Sequence, residues 1–274
     1  MNLWPGAPAR KFRRAHWMTR DADKKAQDLK RYLSAFHGID PRTRATLDVM
    51  CRVRSYRAGT TVVRERETAE IVGCVLSGIL RMQKTLVDGR RHIVGLLVSG
   101  DLFGRVYEGP GEFSIEAATE AHVCTFPKAE FEAFLKRSPD LERAVMLNIL
   151  NELDRARDWM IILSNQKISS RIAGFLLLLR SRFASLDDLV EEAIDGTKVR
   201  IPISRTDLAQ LLGTRPESVS RALHALQDDG DIRILEPNLV FVRNFHALAR
   251  KAGEQDIGGM SSVKDILQEE KRKR

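Results

Sequence analysis

The sequence predicts an α+β protein in which a strand-rich half is followed by a helical half. Across residues 39–127, short β-rich runs alternate with glycine-containing turns, a spacing typical of a sandwich or a barrel-like roll. From Pro139 onward, apolar residues recur at steps of three and four, which predicts helices. Residues 204–229 contain two helical patterns joined by a Gly-containing turn, which predicts a helix-turn-helix.

Length and composition indicate a globular protein of about two domains. The chain has 274 residues and a hydrophobic content of 43%, enough for two full-sized cores. Its longest apolar run, residues 175–179, is far shorter than the roughly 18 residues that span a membrane. The first residues lack the apolar core of a secretory signal. We therefore expect a cytoplasmic protein without a membrane partner.

The net charge of +8 is a poor indicator of nucleic-acid binding in this chain. Residues 1–31 hold nine Lys/Arg and three Asp/Glu, whereas residues 167–274 hold 18 Lys/Arg and 16 Asp/Glu. Most of the excess charge therefore lies outside the predicted helix-turn-helix. The placement of individual arginines on one face is more informative than the total.

Composition divides the chain into five segments. They are a basic tail at 1–34, a β-roll domain at 35–137, a long helix at 138–166, a helix-turn-helix domain at 167–246 and a polar tail at 247–274. The basic tail mixes Pro, Gly and charged residues and is expected to be mobile. Alternatively, Trp4, Phe12 and Trp17 mark it as a docking segment. A short helix is predicted over residues 22–36.

Six short runs predict the strands of the roll, and each is bounded by turn residues. They are residues 60–63, 71–76, 79–86, 92–98, 114–118 and 122–126. In the helical half, a helix is predicted over 169–183, an acidic loop over 186–196, and strands over 199–203, 232–235 and 239–242. Two strands that follow a helix-turn-helix predict a wing.

The long helix carries a stripe that predicts a dimer seam. The stripe and its neighbours comprise Leu141, Val145, Asn148, Glu152, Trp159, Met160 and Leu163. A helix of more than about 20 residues with such a stripe usually packs against a partner helix. The alternative is that it packs against the chain's own roll.

Both helices of the predicted helix-turn-helix have one apolar face, and Gly213 suits the positive φ of the turn between them. Ser204 with Asp207 forms a weak capping box at the first helix. Thr214 with Glu217 forms another, which would make Thr214 the N-cap and Arg215 the first residue of the second helix.

The start of the second helix holds the candidate base-reading residues, Glu217, Ser220 and Arg221. Arg can donate two parallel hydrogen bonds to guanine, and Glu can accept one from the amino group of cytosine. Nearby basic and hydroxyl side chains are candidates for phosphate contacts, which supply affinity without specificity. These are Arg205, Thr206, Thr214, Arg215 and Ser218.

The order of residues in this stretch resembles the CRP/FNR family of transcription regulators, in particular its FNR and FixK-like branch. The resemblance rests on residues 205–209, on Leu212-Gly213 and on residues 217–221. It implies a cyclic-nucleotide-binding-like β-roll sensor domain, a long dimerisation helix and a C-terminal winged helix-turn-helix. It further implies a homodimeric regulator that binds double-stranded DNA at a palindromic TTGAT-like site, with RNA polymerase as a partner. An activator is expected, and the sequence leaves a repressor as the alternative.

The roll departs from the cyclic-nucleotide binders of that family. Those proteins hold the ribose with a Glu and the cyclic phosphate with an Arg, but the matching positions here are Arg105 and Phe113. A phenyl ring cannot neutralise a phosphate. We therefore expect a regulator that cyclic nucleotides do not gate. The alternative is gating by a ligand or cofactor (redox, haem or a small molecule), and a remote one is a cyclic-nucleotide-controlled subunit or enzyme.

No enzyme and no cofactor are predicted. The chain lacks nucleophile-elbow, Walker, zincin and dinucleotide-binding motifs. Its cysteines, Cys51, Cys74 and Cys124, are expected to stay reduced, and a [4Fe–4S] cluster would need a fourth thiolate. His92 and His122 lack a metal-ligand spacing, so a metal site or haem is not expected either.

Overall fold

The computed structural model describes residue 36, residues 38–182 and residues 189–253. The predicted basic tail at 1–34 lies outside the described residues, as does the short helix predicted over 22–36, apart from Phe36. The part of the predicted polar tail from residue 254 onward also lies outside them.

The first domain is a roll of two four-stranded antiparallel sheets. Its helices and strands are α1 (Pro41–Met50), β1 (Arg52–Tyr56), β2 (Thr61–Val63), β3 (Ile71–Ser77), β4 (Leu80–Thr85), β5 (Arg91–Leu97), β6 (Leu102–Phe103), β7 (Ser114–Ala117), β8 (Ala121–Pro127) and α2 (Lys128–Leu135). One sheet has the order β1-β8-β3-β6 and the other β2-β7-β4-β5. Val75, Leu80, Phe103 and Val123 form the core between the sheets.

All six strands predicted for the roll are present within one or two residues of the predicted bounds. The turn between β3 and β4 requires Gly78, which has φ +79° and lies so close to Glu120 that an added Cβ would collide with its carbonyl oxygen. The prediction missed β1, which is polar and largely exposed, and the two-residue β6.

Helix α1 was also missed, although its N-terminal signals are in the sequence. Asp40 accepts hydrogen bonds from the backbone N–H groups of Arg42 and Thr43 at 2.7 and 3.0 Å. Hydrogen bonds from the backbone N–H of Thr43, then from its hydroxyl and from the N–H of Arg42, lower the pKa of Asp40 to about 2. The helix buries only Thr43 and Leu47, so it lacks the periodic apolar face by which sequence reasoning detects a helix.

A 26-residue helix, α3 (Pro139–Ser164), runs from the roll to the second domain. Its first half packs Leu141 and Val145 into the core beneath α2. Its second half places Trp159 against Phe175, with ring centroids 5.9 Å apart. Helix α3 is therefore held by both domains along one face.

The second domain is a winged helix-turn-helix built on one four-stranded sheet. Its elements are α4 (Ile168–Arg182), β9 (Val190–Ala193), β10 (Gly196–Arg200), α5 (Arg205–Leu211), α6 (Pro216–Asp228), β11 (Ile232–Glu236), β12 (Leu239–Val242) and α7 (Phe245–Lys251). The sheet order is β11-β12-β10-β9. The strand predicted at 199–203 begins earlier, at Gly196, and ends at Arg200.

Two predictions about this domain were wrong. The acidic stretch at 186–196 was predicted as a loop but contains β9, because its backbone pairs antiparallel with β10. Across that pair, Glu191 contacts Lys198 at 2.9 Å and Glu192 accepts from Thr197 at 2.9 Å. The polar tail was predicted to begin at residue 247, yet α7 continues to Lys251 and buries Leu248.

The two domains pack against each other through a continuous apolar core and a charged cluster. Ile79, Ile93 and Leu96 of the roll belong to the same buried cluster as Leu208 of α5. Beside them, Arg81 pairs with Asp207 of α5 and with Glu116 of β7. These contacts position the helix-turn-helix relative to the roll.

Candidate DNA-binding site

The first helix of the pair, α5, begins as predicted. The hydroxyl of Ser204 accepts a hydrogen bond from the backbone N–H of Asp207 at 3.0 Å, which caps the helix. Gly213 has φ +64° in the turn, and the N–H of Thr214 donates to the carbonyl of Ala209 at 2.8 Å. This local bonding fixes the angle at which the second helix leaves the first.

The second helix, α6, begins one residue later than the Thr214 cap would have it. Its N-cap is Arg215, in an extended conformation without a side-chain capping bond, and Pro216 is the first helical residue. The reason is local: the Thr214 N–H already closes the turn, and Pro216 disfavours helical geometry in the residue before it. Glu217 therefore lies in the first turn, and the predicted capping box does not form.

The three predicted base-reading residues lie on one outward face of α6. Glu217 and Arg221 are exposed and Ser220 is half-buried between them. The opposite face buries Val219, Ala222, Leu223 and Leu226 against the rest of the domain. Because the buried face anchors the helix, its outward stripe is presented rigidly.

Helix α6 carries a further polar residue that sequence reasoning missed. His224 is exposed one turn beyond Ser220, and its Nδ1 lies 2.8 Å from the Ser220 carbonyl oxygen. The sequence could have indicated it, because residues four apart lie on the same face of a helix and His224 follows Ser220 by four. Arg221 is held by a 3.3 Å bond from Nη2 to the hydroxyl of Ser218.

The predicted phosphate-contact residues fall into two groups. Thr214, Arg215 and Ser218 cluster at the start of α6, and Thr206 is exposed on α5. Arg205 differs, because its side chain is half-buried and its Nη2 donates to the carbonyl of Pro237. Burial lowers the pKa of Arg205. Arg205 lines a cavity whose other wall is formed by the roll.

Most of the residues predicted to form a dimer seam pack inside the protomer instead. Leu141, Val145 and Trp159 are buried within the protomer. Asn148 and Glu152 also lie on that face, where Asn148 donates to the Gly100 carbonyl at 3.1 Å. Of the seven residues predicted for the seam, only Met160 and Leu163 lie on the exposed face of α3. The predicted stripe therefore packs mainly against the chain's own roll, which was the alternative to a dimer seam.

A second apolar stripe lies on the opposite, exposed face of α3. It consists of Met146, Leu147, Ile149, Leu150, Leu153, Met160 and Leu163. Exposed fractions within the protomer range from 37% for Leu163 to 70% for Met160. A contiguous apolar surface of this kind marks an interaction face.

The roll contains a cavity of about 500 Å³ beneath α3. Both Arg105 and Phe113 line it, together with Glu152 from α3. The Nε of Arg105 donates to the Glu108 carbonyl at 2.8 Å, and burial raises the pKa of Glu152. The remaining lining is mostly apolar, so this cavity offers one cation and no clamp for a phosphate.

The cysteines are arranged differently from the prediction. Cys51 and Cys124 form a disulfide, whereas all three thiols were expected to be reduced. The pairing of β1 with β8 brings their Cα atoms to 5.8 Å, within the usual range for a disulfide. Cys74 is a buried free thiol whose pKa is raised by burial.

Comparisons with known proteins agree with this geometry. A model of the cyclic nucleotide-binding domain matches residues 53–138, and one of the Crp-like helix-turn-helix domain matches residues 170–251. The transcriptional activator protein FnrL of Cereibacter sphaeroides is 33% identical over 79% of this chain and 86% of its own. The chain belongs to the CRP/FNR family.

Further relatives place the chain in the FNR/FixK branch of the CRP/FNR family. The nitrogen fixation regulation protein FixK of Bradyrhizobium diazoefficiens is 36% identical over 66% of this chain and 73% of its own. The solved structure of FixK2 from Bradyrhizobium japonicum superimposes with a TM-score of 0.63 at 30% identity, covering 73% of this chain and 96% of that one. This CRP/FNR chain is accordingly a DNA-binding transcription regulator. Among the described residues, no helix is long and apolar enough to cross a membrane.

Proposed function

We propose that this CRP/FNR protein is a homodimeric, sequence-specific transcription activator that reads an inverted repeat with one α6 helix per half-site. The observation that carries the proposal is the outward stripe of Glu217, Ser220 and Arg221 on a helix whose other face is buried. The names of FnrL and of other relatives as transcriptional activators support activation, with RNA polymerase as a partner. We further propose a cytoplasmic protein that has no enzymatic activity.

The chemistry of the stripe supports base reading in the major groove. An α-helix fits that groove, and residues in its first turns reach the base edges. The guanidinium of Arg221 suits guanine, and the carboxylate of Glu217 suits the amino group of cytosine. A TTGAT-like half-site contains a G·C pair that offers both groups. Arg215, Ser218, Thr214 and Thr206 surround the stripe and are proposed to contact phosphates.

The exposed apolar stripe of α3 supports the homodimer. Two copies of this stripe facing each other around a twofold axis would bury apolar side chains that are exposed in one protomer. The same axis would place the two α6 helices on one side of the dimer. Recognition of an inverted repeat requires this arrangement.

Selection of binding sites from random-sequence DNA tests the proposal. We expect the enriched sequences to be inverted repeats of TTGAT-like half-sites whose centres are about 34 Å apart. A protein with Glu217, Ser220 and Arg221 all replaced by alanine is the matched control, and it should enrich no motif. If the unmodified protein enriches one half-site without an inverted second copy, the proposed dimer is contradicted.

We propose that cyclic nucleotides do not gate this regulator. A cyclic phosphate that enters the roll cavity must exchange its hydration for charge-assisted hydrogen bonds. Phe113 supplies none, and Arg105 is already bonded to its own loop at Glu108. The cavity is therefore poorly suited to an anion of this kind.

We expect millimolar cyclic AMP or cyclic GMP to leave the thermal midpoint and the DNA affinity unchanged. A ligand that binds only the folded state would stabilise it by RT ln(1 + [L]/Kd), which a melting curve detects. The selected DNA duplex serves as the positive control, because its binding should raise the midpoint. A saturable shift with cyclic AMP, coupled to tighter DNA binding, would overturn the proposal.

Two observations favour a second candidate, in which a signal gates DNA binding through the roll. The cavity beneath α3 has the size of a small-molecule site, and its apolar lining fits an uncharged ligand. The Cys51–Cys124 disulfide offers a redox signal instead. The absence of an iron–sulfur cluster or haem remains a prediction.

A further inference from the structure

A second cavity, separate from the one beneath α3, lies between the roll and the DNA-binding domain. Its volume is about 630 Å³, which is within the range of small-molecule sites. Ser77, Gly78, Ile79 and Thr119 form the roll side of the cavity. The other side consists of the chain from the end of β10 to the start of α5, together with Pro237 and Asn238 of the wing turn.

The lining of this interdomain cavity combines an apolar surface with positive charge. Ile79, Leu189, Ile201, Pro202 and Ile203 supply the apolar surface. The charged lining residues are Arg200 and Arg205, and no Asp or Glu lines the cavity within the described part of the chain. The site therefore favours an anion that has an apolar body.

Among the residues that the structure describes, Arg205 is the cation of the cavity that has no carboxylate partner. Arg200 has a carboxylate partner, Glu236, at 3.6 Å. Arg205 donates only to the Pro237 carbonyl, and among the described residues its buried Nη1 atom has no hydrogen-bond partner. Burial without a carboxylate partner disfavours the charged guanidinium and lowers the pKa of Arg205. The Nη1 atom is enclosed, but the side chain is only half-buried, and a bound anion at its accessible edge would offset that cost.

We propose that this interdomain cavity binds a small carboxylate with an apolar body, with Arg205 as the group that recognises the carboxylate. The accessible edge of the Arg205 guanidinium would donate a charge-assisted hydrogen bond to the carboxylate. Such a ligand would contact the sensor half and the DNA-binding half of the protein at once. The site is distinct from the roll cavity, because the two cavities share no lining residue.

Binding of 6-fluoro-2-naphthoate to the full-length protein without DNA, followed by fluorine NMR, tests the proposal. We expect saturable binding, and about tenfold or more weaker binding of the neutral 6-fluoro-2-naphthamide, because a hydrogen bond to a charged group is lost. Arg205→Gln should weaken naphthoate binding to a similar extent, and Arg205→Lys should restore part of it. Arg105→Gln, in the roll cavity, is the matched control and should have no effect.

A second variant approaches the site from the other domain. Ser77→Phe should fill the cavity from the roll side and weaken naphthoate binding while Arg205 remains intact. If the circular dichroism spectrum shows that Arg205→Gln disturbs the fold, Ser77→Phe still tests the site. Absence of binding, equal binding of the amide, no effect of Ser77→Phe, or loss of binding in Arg105→Gln but not in Arg205→Gln would each overturn the proposal.

Discussion

Replacement of Leu150 by glutamate is expected to convert the protein into folded monomers that no longer bind an inverted repeat. Leu150 is 49% exposed in the protomer and lies on the second apolar stripe of α3, so the fold does not depend on it. In a dimer, two carboxylates would enter the apolar seam without partners. We expect a cost of about 3 kcal/mol or more, about a hundredfold or more in the dissociation constant. Sedimentation with circular dichroism measures both outcomes.

The matched control is Asn151→Glu, which introduces the same charge one residue further along α3. Asn151 is exposed, and its side chain is turned about 100° away from that of Leu150. This variant should remain dimeric. A charge at Trp159 should act differently again, because that residue packs on Phe175 and its replacement should unfold the protein. A dimeric Leu150→Glu protein would show that the exposed stripe is not the seam.

Replacement of Arg221 by alanine is expected to reduce affinity for the selected site by about 1–3 kcal/mol, roughly 5- to 150-fold. The physical reason is the loss of two parallel hydrogen bonds to one guanine. The preference at that base pair should relax, while affinity for random DNA falls little. Fluorescence anisotropy with the selected duplex, its single-base variants and a scrambled duplex gives all three quantities.

The control for this variant is Arg215→Ala, which also removes an exposed arginine at the start of α6. If Arg215 contacts phosphate, its loss should weaken all sequences alike and reduce the slope of log K against log[salt] by about one. An equal loss on selected and scrambled DNA for Arg221→Ala would remove Arg221 from the base-reading role.

The helix-turn-helix could be predicted in detail because its signals are local. Gly213 marks the turn, Ser204 caps α5, and the apolar faces of both helices repeat at helical spacing. Secondary structure that depends on distant partners was harder to predict. Strand β9 forms because its backbone pairs with β10, and α7 forms because Phe245 and Leu248 reach a core that the sequence does not reveal.

The proposed dimer face of α3 shows why periodicity alone cannot assign the partner of a helix face. Helix α3 carries apolar residues on two opposite faces, and its sequence predicts that the stripe containing Leu141 and Val145 is the seam. The roll covers the face of Leu141 and Val145, which leaves the face of Leu150 and Leu153 exposed. Only the tertiary structure distinguishes them, since both stripes have the same spacing.

Only the part of the candidate site that depends on local sequence could be predicted. Glu217, Ser220 and Arg221 lie on one face because they are close in sequence on one helix. The orientation of Arg205 depends on Pro237, 32 residues away, and the interdomain cavity also takes residues from the roll. Contacts of that sequence separation could not be inferred from local patterns.

The selection experiment, extended by affinity measurements at about 0.15 M salt, tests sequence-specific recognition by α6 most directly. The selected inverted repeat and a scrambled duplex of the same length are compared with the unmodified protein. We predict that the inverted repeat binds at least about 10³-fold more tightly, as is typical of specific DNA-binding proteins. Equal affinity for the two duplexes, with the same dependence on salt, would contradict the account.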